Sequence, residues 1–193
     1  MLLHSGRNAS HGRQSRILSP AEGMTLTPQF VHDPSAEPQA FRDAMSRVAG
    51  AVHLIATDGP GGKGGLTATA VTSVSDAPPT LLVCLNKSSR TAAIVRENGA
   101  FSVNTLGAGQ QELANVFAGR TPARGERRFE HGKWLADVLG QPCLADALVG
   151  FSCRVEEIKP VASHLVVIGA ICDIRFGTAH AGLVYTRRAF HAV

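Results

Sequence analysis

The sequence predicts a mainly β fold, an antiparallel Greek-key barrel with short helices on its rim. Six or so β-type runs follow one another from Ala51 to Arg187. Between them only two segments, 90–98 and 109–117, carry helical spacing, and both are short. A doubly wound parallel sheet needs a helix of about a dozen residues after nearly every strand, so that class is excluded. Turn chemistry agrees: Pro78-Pro79 bends the chain between two β-type runs, and Asn98-Gly99 closes the first of the two helical segments.

Taken in order, residues 1–36 read as a polar N-terminal tail without sustained periodicity. Arg7, Arg13, Arg16 and the nearby serines faintly resemble a transit peptide, and Met24 offers an alternative start. The folded domain is expected over 37–193. Phe41, Met45 and Val48 fall at i, i+4 and i+7, which predicts a helix over 38–49 ended by Gly50. Residues 51–57 read as a strand, and 58–65 as a glycine-rich hairpin loop. That loop contains Gly62-Lys63 without the Ser or Thr of a P-loop. Residues 65–75 alternate small polar and apolar groups as one strand, and the nearly all-apolar 80–86 follows the proline turn. A helix over 90–98, a strand over 100–104 and a helix over 109–117 come next. The polar segment 119–142 reads as a lid or partner-contact loop. Strands over 147–159, 163–176 and 182–187 complete the chain.

Composition narrows the function. The 193 residues carry a net charge of +4 with no Lys/Arg stripe interleaved with aromatics, which argues against nucleic acid. No apolar run approaches the roughly 18 residues of a membrane helix, so no membrane partner is expected. Charged residues are 18%, below the roughly 25% of average soluble domains, which points to surface covered by a second subunit. Cys84, Cys143, Cys153 and Cys172 show neither C-x-x-C nor zinc-finger spacing, so no metal is expected, and they read as small buried hydrophobes in a reducing cytoplasm. Hydrolase and metalloprotease motifs are missing: there is no G-x-S-x-G, no H-E-x-x-H and no G-x-G-x-x-G.

The informative stretch is Gly65 to Thr91. Thr67, Ala68, Thr69 and Ala70 are small residues on a strand. They are either an ordinary strand with solvent-facing threonines or a surface on which a flat ring lies against the backbone. Asn86, Lys87, Ser88, Ser89 and Thr91 carry the chain from a strand into a helix. Ser88 or Ser89 serves a plain N-cap there, but the same geometry holds a phosphate, and Lys87 and Arg90 favour an anion. Phe117-Ala118 ends the second short helix; Phe117 suits the core, and the backbone of the turn suits the edge of a ring. His164 heads the strand run HLVVIGAICDI, either as a surface histidine or as a contact to a nicotinamide, while His53 reads as structural.

Together these segments resemble the flavin reductase family with the FMN-binding split-barrel fold. Its members are the small reductase components of two-component flavin monooxygenases, such as the 4-hydroxyphenylacetate 3-monooxygenase system. The resemblance runs from about Phe41 to Phe190. It rests on FRDAM, GLTATAVTSVS, the APP turn, LLVCLNKSSRT, NGAFSVN, LANVFAG and SHLVVIGAI, in that order. It implies FMN or FAD as cofactor, with the ring near Thr67 to Ala70 and Phe117-Ala118 and the phosphate at Lys87 to Thr91. It implies NADH or NADPH as donor and a homodimer with flavin near the subunit boundary. The family's Gly-Asp-His motif at the nicotinamide site is Ala162-Ser163-His164 here, so only the histidine is kept. Tyr185, Arg188 and Phe190 match an aromatic and arginine pattern on the terminal strand.

The activity so implied is hydride transfer from NAD(P)H to a bound flavin, which needs two stacked rings and exclusion of water rather than a protein acid or base. Reduced flavin would then supply a partner monooxygenase. Two other readings use the same scaffold. One passes electrons from the flavin to a cobalt corrinoid, such as cob(II)yrinic acid diamide, or to a ferric chelate. The other is a non-enzymatic flavin- or haem-binding protein.

Overall fold

The computed structural model describes residues 36–178 and 180–193, so the expected tail over 1–36 lies outside the described residues except for Ala36. The chain forms α1 (Pro38–Met45), β1 (Gly50–Ala51), β2 (His53–Thr57), β3 (Gly64–Ala68), β4 (Val71–Asp76), β5 (Pro79–Asn86), α2 (Arg90–Asn98) and β6 (Ala100–Thr105). It continues with α3 (Gln111–Phe117), β7 (Trp134–Ala136), β8 (Pro142–Leu144), β9 (Val149–Val161), β10 (His164–Phe176), β11 (Leu183–Thr186) and β12 (Ala189–Ala192). It is mainly β and antiparallel, as the sequence predicts.

Seven strands form the main sheet in the order β3-β2-β6-β9-β10-β5-β4, every pair antiparallel. With seven alternating strands, the two edges β3 and β4 run in the same direction. They are also consecutive in the chain, separated only by Thr69 and Ala70. The run expected as one strand over 65–75 is therefore one path that leaves the β2 edge after Ala68 and joins β5 at Val71. That handover closes the sheet on itself and places a seam at Thr69-Ala70. The link from β5 to β6 through α2 skips β10 and β9 in the strand order, a Greek-key crossover.

The interior follows from strand alternation. All five residues of β2 are buried, because both its faces are covered. Ile55 joins Val83, Leu85, Val95, Phe101, Val103, Cys153 and Val167 in the barrel core. Leu54, on the other face, packs with Val52, Leu106, Val116, Phe117, Leu144 and Leu183. Asn104 is fully buried and ties β2 to β8: its Nδ2 donates to Leu54 O at 3.3 Å, and its Oδ1 accepts from Leu144 N at 2.7 Å.

Three expectations change. The helix predicted over 38–49 ends at Met45, and Gly50 is no cap but pairs with Tyr185 in β1. The cause is the β11–β12 hairpin, whose Arg187 N–H and Thr186 hydroxyl take the carbonyls of Ser46 and Arg47. The segment 119–142 is not a free lid. Phe129 and Trp134 lie 5.1 and 5.5 Å from the Phe117 ring and 5.0 Å from each other, which pins its middle to the core. Cys143 and Cys153 are buried as expected, and burial pushes the Cys153 thiol up to about 12, but Cys172 is exposed. Among the described residues no helix is long and apolar enough to cross a membrane.

Candidate functional site

The seam gives the site its shape. Beyond the bond from Cys84 N to Ala70 O, at 3.0 Å, β3 and β5 diverge, and Thr67 to Ala70 line the gap. A cavity of about 170 Å³ on one side is walled by Thr67, Ala68, Thr69, Ala118, Arg120 and Tyr185. A larger one, about 690 Å³, meets Thr69 and Ala70 from the other side and also touches His53, Tyr185 and Met45. Thr69 and Tyr185 border both, so the two form one groove across the seam. Small side chains at 68 to 70 leave the backbone open there, which suits a flat ring.

The neighbouring side chains hold this groove rigid. Thr67 Oγ1 donates to Ala114 O at 2.7 Å and ties β3 to α3. Phe117 is 2% exposed and belongs to the core, while Ala118, the next residue, lines the cavity. Arg120 lies over the rings of Tyr185 and Phe190, 5.6 and 5.7 Å from their centroids, and donates to Tyr185 Oη at 3.2 Å. Arg120, Tyr185 and Phe190 thus form a stacked wall. The sequence offers only the aromatic pattern of its last strand as a signal for it.

The predicted anion run is partly assembled. Asn86 Oδ1 accepts from Ser88 N at 2.9 Å and from Ser88 Oγ at 2.8 Å, which folds the turn before α2. Ser89 is the N-cap residue of α2, yet its hydroxyl makes no capping bond. The plain capping role is therefore unfilled by a side chain, and the positive end of the helix dipole lies at this turn, where Ala92 N and Ala93 N already donate to Ser89 O at 3.1 and 3.4 Å. The residues divide between two sides of this turn. Lys87 borders a cavity of about 430 Å³ with Arg96 and Leu165. Thr91 is buried, donates to Gly65 O at 3.2 Å, and borders a separate cavity.

His164 lies beside the same turn. It is the register partner of Asn86, and Lys87 N donates to Ser163 O at 3.0 Å. Its Nδ1 lies 2.9 Å from Ser163 Oγ. Ala162, where the family motif has glycine, holds a left-handed φ of 45° in the hairpin turn. His53, read from sequence as structural, is 8% exposed with Nδ1 3.0 Å from Thr105 Oγ1. Burial lowers its pKa to about 4. Among the described residues no three His, Cys, Asp or Glu side chains converge as metal ligands.

Comparison with known proteins matches residues 45–193 to a flavin reductase like domain. An FMN reductase (NADH) RutF of Ancylobacter novellus is 47% identical over 160 residues, covering 83% of this chain and 87% of the relative. The protein of the same name in Escherichia coli strain 55989 is 47% identical over 155 residues, covering 80% and 93%. Among solved structures, BorF, the flavin reductase component of a bacterial two-component tryptophan halogenase, superposes with a TM-score of 0.75. It is 26% identical, and the match covers 81% of this chain and 98% of that one.

Proposed function

Since the chain belongs to the flavin reductase like domain family, we propose that it is an NADH-dependent flavin reductase that takes FMN or FAD and supplies reduced flavin to a partner monooxygenase. The single observation that carries this reading is the groove at the barrel seam, small and open at Thr67 to Ala70 and walled by Ala118 and the Arg120–Tyr185 pair. The residues fit the cofactor's chemistry: exposed backbone for a ring, then an uncapped helix start with Lys87 and Ser89 for a phosphate.

The chemistry a bound flavin supplies is acceptance of a hydride from the nicotinamide. The chain contributes position. In this reading Thr67, Ala68, Thr69, Ala70, Phe117 and Ala118 hold the ring, the last two through main chain and a methyl group. Asn86 orders the turn on which Lys87, Ser88, Ser89 and Thr91 meet the phosphate. His164, beside Asn86, contacts the nicotinamide in place of the full family motif. Backbone donors along the seam stabilise negative charge as it develops on the ring. The folded unit is residues 37–193, and it acts as a homodimer in the cytoplasm, where its four free thiols stay reduced.

The test is anaerobic mixing of purified protein with NADH and catalytic or stoichiometric FMN or FAD. Loss of flavin absorbance near about 450 nm is expected. Absence of NADH-dependent bleaching with either flavin removes the assignment.

A further inference from the structure

Among the described residues, His53 is the buried ionisable side chain that borders the groove at the seam. It is 8% exposed, yet it lines the cavity of about 690 Å³ together with Thr69, Ala70 and Tyr185. Strand alternation puts it there. Leu54 turns to the layer of Leu106 and Phe117, while Ile55 turns to the barrel core. His53 therefore points the same way as Ile55, at the end of β2 nearest the seam. Its register partners are Ala68 on β3 and Thr105 on β6. Ala68 adds only a methyl group beside the imidazole.

The two ring nitrogens differ. Nδ1 lies 3.0 Å from Thr105 Oγ1. Nε2 meets no hydrogen-bond partner among the described residues and is not sealed inside the protein, so it opens on the groove. The tautomer follows from Thr105. Its hydroxyl belongs to a residue 8% exposed, and His53 Nδ1 is its only partner among the described residues. A buried hydroxyl has one proton to place, so Thr105 Oγ1 donates to Nδ1 and the ring proton sits on Nε2. Burial lowers the His53 pKa to about 4, so the ring is uncharged near neutral pH. The groove floor thus carries one fixed, neutral N–H, while the cations Arg42 and Arg188 stand on its rim. The structural role read from the sequence accounts for one nitrogen only. A donor withdrawn from most of its water is costly until an acceptor reaches it, and an uncharged donor suits an uncharged carbonyl.

We propose that His53 is a ring-binding residue. Its Nε2–H donates to an amide carbonyl oxygen of a flat ring seated against Thr69 and Ala70. Thr105 is the positioning residue that fixes the tautomer. Flavin and nicotinamide rings both carry such a carbonyl, and taking these two as the candidate rings rests on the reductase reading.

The test compares wild type, His53→Asn and His53→Gln by riboflavin titration and by NADH kinetics at saturating FMN. Riboflavin isolates the ring from the phosphate. The asparagine amide stands where Nδ1 was, and the glutamine amide where Nε2 was. Riboflavin binding that weakens about fivefold or more in His53→Asn and partly returns in His53→Gln is the expected result for one buried donor. The visible band of bound flavin should move and return in the same order. If the carbonyl is the nicotinamide's, riboflavin binding stays unchanged, and KM for NADH rises in His53→Asn and falls back in His53→Gln. The proposal is overturned if both variants match wild type in every readout. It is also overturned if His53→Gln loses as much as His53→Asn, since the residue would then act through the fold alone. Should the variants fail to fold, nitrogen NMR of the wild-type histidine rings at about pH 5.5 decides. A neutral ring protonated at Nε2, whose Nε2 signal moves on adding riboflavin or NADH, supports the proposal; protonation at Nδ1, or no movement, overturns it. Wild type that binds riboflavin through His53 yet passes it no electrons from NADH would sink the reductase reading and leave this one standing. Wild type that binds neither riboflavin nor NADH overturns both.

Discussion

At the scale of single residues, the two histidines of the site behave oppositely. His164 is exposed beside Ser163, whereas His53 is held neutral inside the barrel wall against Thr105. Burial sets the folded pKa of His53 at about 4, against 6.5 when free. Above pH 6.5 both folded and unfolded chains are neutral there, and the residue adds no pH dependence. Below it the unfolded chain takes a proton that the folded chain refuses, so stability falls until about pH 4. Each pH unit of that gap is about 1.4 kcal/mol, which makes the loss about 3 kcal/mol. Urea unfolding of wild type and His53→Gln at pH 7.5 and pH 4.5 measures it: the wild type should lose more stability on acidification, and equal losses contradict a neutral His53. Phosphate recognition is tested at Lys87 and Ser89. Replacing both with alanine removes a charge and a free hydroxyl and should weaken FMN about tenfold or more, at 1.5–3 kcal/mol for a charged hydrogen bond. Riboflavin, which lacks the phosphate, should bind both proteins alike. Equal weakening of riboflavin would place the effect in the fold, not at the anion.

At the scale of elements, the critical joint is where β3 passes α2 and α3. Gly64 and Gly65 allow it. A Cβ on Gly65 would stand 2.6 Å from Phe117 Cε1 and 3.1 Å from Phe129 Cζ, both parts of a packed aromatic cluster. Gly65→Ala should therefore cost about 1–3 kcal/mol by overpacking, read as a lower urea midpoint at unchanged slope. An unchanged midpoint would mean that the aromatic cluster yields without cost. The sequence showed much of this level and hid a definite part of it. Helical spacing and the Asn98-Gly99 stop placed α2, a nearly all-apolar run placed β5, and two long β-type runs placed β9 and β10, because those signals lie within one element. The break at Thr69-Ala70 left no local mark, since it exists only because β2 and β5 claim successive halves of one run. β7, inside the polar segment, and β8, at its end, were missed for the same reason: three-residue strands are defined by their partners. The site divides likewise. Thr67 to Ala70 and Asn86 to Thr91 were visible as contiguous motifs. His53 and Thr105, 52 positions apart, become a pair only through the fold.

At the scale of the whole molecule, α1 is attached the wrong way round for a helix of an isolated subunit. Its polar side holds it: Asp43 pairs with Arg188, and the carbonyls of Ser46 and Arg47 that follow it bond to the β11–β12 hairpin. Its apolar side faces outward, with Phe41 59% and Met45 50% exposed and nearby Val48 57% exposed. A helix normally buries that stripe, and an exposed contiguous apolar patch marks a contact surface. Met45 and Val48 rim the groove beside Thr69 and Ala70, so a second subunit docked on α1 would also wall the ring position. Assembly and flavin affinity are then coupled, and one substitution should move both. Met45→Glu puts a charge into the contact without touching the ion pair or the hairpin that hold α1 in place. Light scattering after size exclusion should show a dimer for wild type and a monomer for Met45→Glu, with flavin affinity falling in step and regained as protein concentration rises. A monomeric wild type, or a monomeric variant with full flavin affinity, would separate the groove from the interface and leave the outward face of α1 for another partner.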